Sequence, residues 1–190
     1  MDSTIDLSNA TLETPRLTLR PWRESDLSYL YEYASVPGVG EMAGWPHHES
    51  IETSRQILTS WLEEKNIFAL VYRENGKVIG SLGLHPSWAD SDPRYSGLKV
   101  KEVGYVLSKG YWGQGLMPEA VTAVIHFCFE QLGLDAVTVG HFTENAQSKR
   151  VIEKCGFTYV KNGEFYAKLL DKTFEDMNYI LLRDEKTTEK

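Results

Sequence analysis

The strongest constraint in this sequence lies in residues 101–142, where "KEVGYVLS", "KGYWGQG", "LMPEAVTAVIHFCFEQL" and "AVTVGHF" stand close together. A β-rich run leads through a turn with three glycines into an apolar segment of helical period, with Ala120, Val121, Val124, Ile125, Cys128 and Leu132 on its inner face. A second β-rich run follows. Two strands joined through a helix lie parallel, with a right-handed crossover. The turn therefore sets the carboxyl end of a strand against the amino end of a helix. Gly113 and Gly115 let the backbone bend there and keep side chains out of the way, so free amides meet the positive end of the helix dipole. Such a junction suits a phosphate.

The flanking segments complete a mixed α/β plan. The alternation in "LETPRLTLRPW" reads as a strand ended by Pro21, and "ESDLSYLYEYA" as a helix capped by Ser25 or Asp26. A proline- and glycine-rich loop leads to a second helix over 51–64. "IFALVYRENGKVIGSLGLH" reads as a hairpin turning at Asn75-Gly76. "PSWADSDPRYSG" reads as a polar loop. Beyond the βαβ unit, "ENAQSKRVIEKCGF" reads as a short helix stopped by Gly156, and strands near 158–166 and 174–182 close the chain. One domain over 12–183 is expected, between a loose N-terminus of residues 1–11 and a charged tail of residues 184–190.

Several functions are excluded or weakened. The junction lacks the lysine of a P-loop, and the third glycine of a dinucleotide fingerprint falls at Pro118, so plain nucleotide binding is the runner-up. A formal net charge of −7 argues against direct nucleic-acid binding. No apolar run approaches the ~20 residues that span a bilayer, and the first residues have no signal-peptide pattern, so a cytoplasmic location is expected. Cys128 and Cys155 sit in apolar helical patterns and form neither a disulfide framework nor a metal site. Oligomeric state is left open.

"EVGYVLSKGYWGQGLMPEA", followed by "TENAQSKRVIEKCGF", resembles the coenzyme A motif of the GCN5-related N-acetyltransferases (the GNAT superfamily), in particular the branch of the ribosomal-protein alanine and serine N-terminal acetyltransferases. The similarity in element order runs from about residue 12 to residue 183. It implies a GNAT-type mixed, mostly antiparallel sheet with flanking helices and acetyl-CoA held where two parallel strands splay apart. The pyrophosphate would meet amides of Trp112, Gly113, Gln114, Gly115, Leu116 and Met117, and the pantetheine arm would pair with the backbone of Val106 and Leu107. Gly110 stands where the broad family places Gln or Arg, which removes one phosphate-binding side chain. Asn145 caps its helix in the bland reading; the resemblance adds a contact to the pantetheine.

Acetyl transfer to an amine needs a neutral amine, donors for the developing oxyanion and a proton for the leaving sulfur. Amides near Tyr105 to Leu107 are the expected oxyanion donors. Ile152 replaces the tyrosine acid of many relatives, and the resemblance passes that role to Ser148. Glu102 and Glu164 are equal candidates for the base. His85 and His141 offer imidazole, a side chain suited to proton transfer, but stand at strand ends, where histidine commonly serves structure. Trp45, His47 and His85 are candidate substrate contacts, with Trp88 nearby in the pattern. The expected acceptor is a primary amine, on a small molecule or a protein N-terminus. An acyl-CoA-binding module without turnover is the alternative.

Overall fold

The computed structural model describes residues 5–183. The elements are β1 (Leu12–Glu13), β2 (Leu17–Pro21), α1 (Leu27–Ala34), α2 (Ile51–Glu64), β3 (Ile67–Tyr72), β4 (Val78–His85), β5 (Val100–Leu107), α3 (Leu116–Glu130), β6 (Ala136–Phe142), α4 (Ala146–Lys154), β7 (Thr158–Ala167) and β8 (Lys172–Leu182). Eight described strands form one sheet in the order β1-β2-β3-β4-β5-β6-β8-β7. Only β5 and β6 pair in parallel among them. The expected mixed, mostly antiparallel sheet is therefore present.

Alternation along the strands divides the molecule into two layers. Leu82, Leu84, Val103 and Leu107 face α3 and α4 in the larger core, which includes Val121, Val124, Ile125 and Ile152. Ala69 and Val106 face the opposite way, towards α1 and α2, with Trp22, Leu30, Tyr33 and Leu58. Helix α3 buries nine residues around most of its circumference, as its dense apolar sequence demands. At roughly 1.5–3 kcal/mol for each large apolar side chain, that burial fixes the strand-to-helix junction firmly.

Local chemistry explains the boundaries. Ser50 accepts from the Thr53 N–H at 3.2 Å and starts α2, and Gly156, with φ of 80°, follows the end of α4. Asp26 does not cap α1 as expected. Its carboxylate instead binds the Arg20 guanidinium at 2.7 and 2.9 Å and the Arg23 N–H at 2.9 Å, closing a short 3-10 turn before the helix. Within the stretch expected to be loose, residues 1–11, Ile5 and Leu7 are core residues and the Leu7 N–H donates to Lys65 O at 2.8 Å. Residues 1–4 and the expected tail, 184–190, lie outside the described residues.

Candidate active site

The sheet opens where β5 and β6 part. Their pairing covers Val100↔Ala136, Lys101↔Val137 and Glu102↔Thr138, yet β5 continues to Leu107 and β6 to Phe142. Ser108 N–H donates to Ile79 O, and a Cβ at Gly80 would lie 2.3 Å from Val106 O. The polar backbone of Val106 therefore faces β4, and by alternation that of Tyr105 and Leu107 faces the opening. Of the expected edge at Val106 and Leu107, Leu107 thus faces the opening together with Tyr105, while Val106 is turned to β4. Trp112 Nε1 takes the Leu107 carbonyl at 2.7 Å, leaving the Leu107 N–H and both backbone groups of Tyr105 along the open edge.

From this opening a cleft of about 880 Å³ runs to the amino end of α3. Its wall includes Val106, Leu107, Trp112, Gly113, Gly115, Leu116, Met117, Asn145 and Ser148, every expected coenzyme A contact except Gln114, while Glu102 and His85 stand outside it. Gly113 and Gly115 have φ of 76° and 75°, a left-handed conformation in which a side chain would be strained. The first-turn N–H groups of Leu116 and Met117 have no intrahelical acceptor, and Pro118 carries none at the next position. The amide cradle is thus formed by two glycines at positive φ and a 15-residue helix.

An ion-pair network braces this turn from the N-terminal strand. Arg16 donates to Gln114 O at 2.9 Å and to Glu119 at 2.7 Å, while Glu119 also accepts from the Arg16 N–H and the Thr14 hydroxyl. Lys109, in the turn before the cradle, and Arg150 and Lys154, on α4, line the cleft, with Glu144 as its one carboxylate among the described residues. An acidic chain thus presents three cations to one groove. The i, i+4 spacing of Arg150 and Lys154 on α4 was a usable signal in the sequence.

A hydroxyl pair stands deeper in the cleft. Tyr105 OH and Ser148 Oγ lie 2.8 Å apart, joining β5 to α4, and burial pushes the Tyr105 phenol well above its usual range. The phenol therefore stays protonated and available as a donor. The tyrosine side chain was not singled out in the sequence, since its partner is 43 residues away. Asn145 does cap α4, accepting from the Ser148 N–H at 3.0 Å, and its Nδ2 donates to Met42 O at 3.4 Å. It ties the helix to the loop at the cleft's other lip.

The two candidate carboxylates lie on opposite faces of the sheet. Glu102 pairs with Thr138, which pairs with Ile180, placing Glu102 on the face of the even-numbered residues of β8; Glu164 pairs with Glu175 and points the other way. Glu102 sits at the last paired position before the opening and accepts from the Thr138 hydroxyl at 3.3 Å. Burial raises its pKa to about 7, with the Asp176 charge adding to the shift. Glu164 is exposed in the edge strand β7 and does not line the cleft. The structure does not bring it together with Ser148 or Glu102.

The remaining candidates separate clearly. Trp45 packs under Gly40, where a Cβ would lie 2.2 Å from its ring, and His47 binds Glu41 at 2.8 Å; neither lines the cleft. His141 is buried and joins Phe142 O and Tyr179 OH, a structural pattern. Trp88 donates its backbone N–H towards Glu102 at 3.5 Å. His85 lies directly opposite Glu102 on β4.

The sequence model of the acetyltransferase (GNAT) domain matches residues 16–158, which hold the whole junction and the hydroxyl pair. The chain belongs to the GNAT acetyltransferase family. Among curated relatives of this GNAT acetyltransferase, an uncharacterized N-acetyltransferase, YoaA of Bacillus subtilis (strain 168), is 28% identical over 151 residues, covering 77% of this chain and 81% of that protein. A putative ribosomal-protein-serine acetyltransferase from Vibrio cholerae has a similar structure, with a TM-score of 0.75 at 20% identity over 92% of this chain and 98% of that one. The microcin C7 self-immunity acetyltransferase MccE, solved in complex with acetyl-CoA and AMP, gives a TM-score of 0.74 at 16% identity over 89% of this chain and 93% of its own. At these identities the structural likenesses carry the fold.

Proposed function

We propose that this acetyltransferase moves the acetyl group of acetyl-CoA directly to a primary amine on a small molecule or a protein N-terminus. The observation that carries the reading is the opening beyond Glu102–Thr138. On one side of it lie the amide cradle and the Tyr105–Ser148 pair, and on the other a carboxylate held near neutrality by burial. A cleft of about 880 Å³ falls within the roughly 300–1,000 Å³ typical of ligand sites, and its cations, positive-φ glycines and helix terminus suit a phosphorylated ligand. The acetyl-CoA complex of MccE, a protein of the same fold, supports the choice of donor.

Bound acetyl-CoA supplies a thioester whose thiol can leave. On this reading the amides of Trp112, Gly113, Gln114, Gly115, Leu116 and Met117 hold the pyrophosphate, with Lys109, Arg150 and Lys154 adding charge. The open edge at Tyr105 and Leu107 orients the pantetheine and offers N–H groups where oxygen becomes negative. Ser148 donates a hydrogen bond or proton to the departing sulfur, and Tyr105, by donating to Ser148 Oγ, leaves the serine proton free for that task. Glu102 draws a proton from the amine on the far side. Nucleophile and leaving group are then served from opposite faces, which a direct transfer requires. Asn145 holds the cleft's two lips in register. A cytoplasmic setting fits, and no helix among the described residues is long and apolar enough to cross a membrane.

A thiol-release assay with acetyl-CoA and a panel of primary amines, including peptides beginning with Ser or Ala, tests the proposal. Amine-dependent release with a matching acetylated product is expected. CoA binding without release on every amine would refute it.

A further inference from the structure

The acceptor face holds an arrangement that the reaction outlined above does not use. Gly83 on β4 and Gly104 on β5 are cross-strand partners, and neither carries a positive φ that would call for glycine. At both, the space a Cβ would need holds the ring of His85, joined at Gly83 by Ile67 Cγ1 at 3.1 Å. A Cβ at Gly83 would lie 2.5 Å from His85 Nε2, and one at Gly104 would lie 3.2 Å from Cδ2 and 3.3 Å from Nε2. The imidazole is folded back over a gap made by two missing side chains. Gly104 is the second residue beyond the last β5–β6 pair, so the ring lies against β5 where that strand borders the opening, outside the cleft wall that holds the cradle.

Nothing else accounts for this placement. Among the described residues neither ring nitrogen has a hydrogen-bond partner, in contrast to His141, His47 and His48, each of which is tied to a neighbour. Glu102 stands directly across on β5, so the two side chains share one face at cross-strand distance. Burial pushes the His85 pKa below its ordinary value, Lys101 on β5 adds to that, and Glu64 on α2 opposes it. A neutral imidazole at neutral pH follows, with a lone pair open to a ligand.

We propose that His85, seated in the Gly83–Gly104 gap opposite Glu102, is a catalytic residue that contacts the acceptor amine and takes its first proton. The inference rests on the acetyltransferase reading above. The ammonium gives one proton to the unprotonated ring nitrogen of His85, and the freed lone pair forms the C–N bond. The C–S bond then breaks with its electron pair on sulfur. The thiolate is protonated from the Ser148 side, the second N–H proton passes to Glu102 or water, and the imidazolium returns its proton to solvent. In sum, an ammonium and a thioester give an amide, a thiol and one released proton. Glu102, on the same face across the strand pair, serves the same amine, so the two act as a unit.

The test measures amine-dependent thiol release against pH, with CoA affinity by calorimetry, in the wild type and in His85→Gln, Glu102→Gln, their double variant, Gly104→Ala and His85→Ala/Gly104→Ala. His85→Gln should lower kcat/KM on the order of 100-fold with CoA affinity retained, and the double variant should be no worse than the poorer single one. Gly104→Ala, which crowds only the ring, should cost roughly tenfold alone and nothing further in the His85→Ala background. That second pair decides the matter if His85→Gln proves unable to bind CoA. Wild-type rates and an unchanged pH profile in His85→Gln, or an undiminished Gly104→Ala effect without the ring, would overturn the role of His85 while leaving the acetyltransferase reading intact. No thiol release by the wild type with any amine would overturn both.

Discussion

Replacing Tyr105 with phenylalanine isolates the hydroxyl pair. The ring and its packing remain, and what is lost is one neutral hydrogen bond of 2.8 Å to Ser148 Oγ. Such a bond contributes about 1 kcal/mol, so the unfolding free energy should fall by about that much, and the ordering of the serine hydroxyl should fall about fivefold. Because Tyr105 acts through Ser148, that factor appears in kcat at saturating acetyl-CoA and leaves CoA affinity in place. Ser148→Ala removes the donor itself and should cost on the order of 100-fold in kcat. It also deprives the buried phenol of its near partner; Ser148 O, 3.4 Å away, is the remaining acceptor in reach. The decisive comparison is Tyr105→Phe in the Ser148→Ala background, measured by thiol release and by CoA calorimetry. There the tyrosine change should have no further effect on kcat. A full additional fivefold loss would show that Tyr105 acts on the reaction independently, and a loss confined to CoA affinity would make the pair a binding feature.

Three other outcomes follow from the same geometry. Gly113→Val forces a β-branched side chain into φ of 76° and should weaken CoA binding roughly tenfold by calorimetry while the fold persists; unchanged affinity would place the pyrophosphate elsewhere. Glu102, with a folded pKa raised to about 7, holds its proton more tightly folded than unfolded. The stability this gives is complete below the unfolded value and is lost as pH rises towards 7, by about 3 kcal/mol in all. Glu102→Gln should therefore melt progressively above the wild type between pH 5 and pH 8 on the order of that size, and parallel melting curves would refute the shift. Glu164→Gln should leave kcat/KM within about twofold, since its side chain is exposed on the other face from Glu102; a loss as large as that of Glu102→Gln would restore it as the base.

The parts of the structure that could be read from the chain are those specified locally. The glycine junction, the limits of α2 and the Gly156 stop each depend on residues within a few positions of one another. The parallel pair followed from the length of its crossover. What could not be read depends on register and distance. Glu102 and Glu164 looked equivalent as strand carboxylates, and only the pairing across β6, β8 and β7 places them on opposite faces. The Tyr105–Ser148 bond and the Arg16–Glu119 brace join residues 43 and 103 positions apart, where no sequence spacing can report a contact. The N-terminal Ile5 and Leu7 lacked a periodic neighbourhood, and their burial comes from the tertiary surface they cover. The room that Gly83 and Gly104 leave for the His85 ring depends on the β4–β5 register, which no local pattern reports.

The central claim is that the acetyl group travels from coenzyme A across the opened sheet to an amine. It is tested most directly by incubating the protein with acetyl-CoA isotopically labelled in the acetyl group and an amine panel, and following the label by mass spectrometry. The label is predicted on the amine nitrogen, in step with thiol release and slowed on the order of 100-fold in Ser148→Ala. Label that stays on coenzyme A, or appears only as free acetate whatever the amine, would contradict the account.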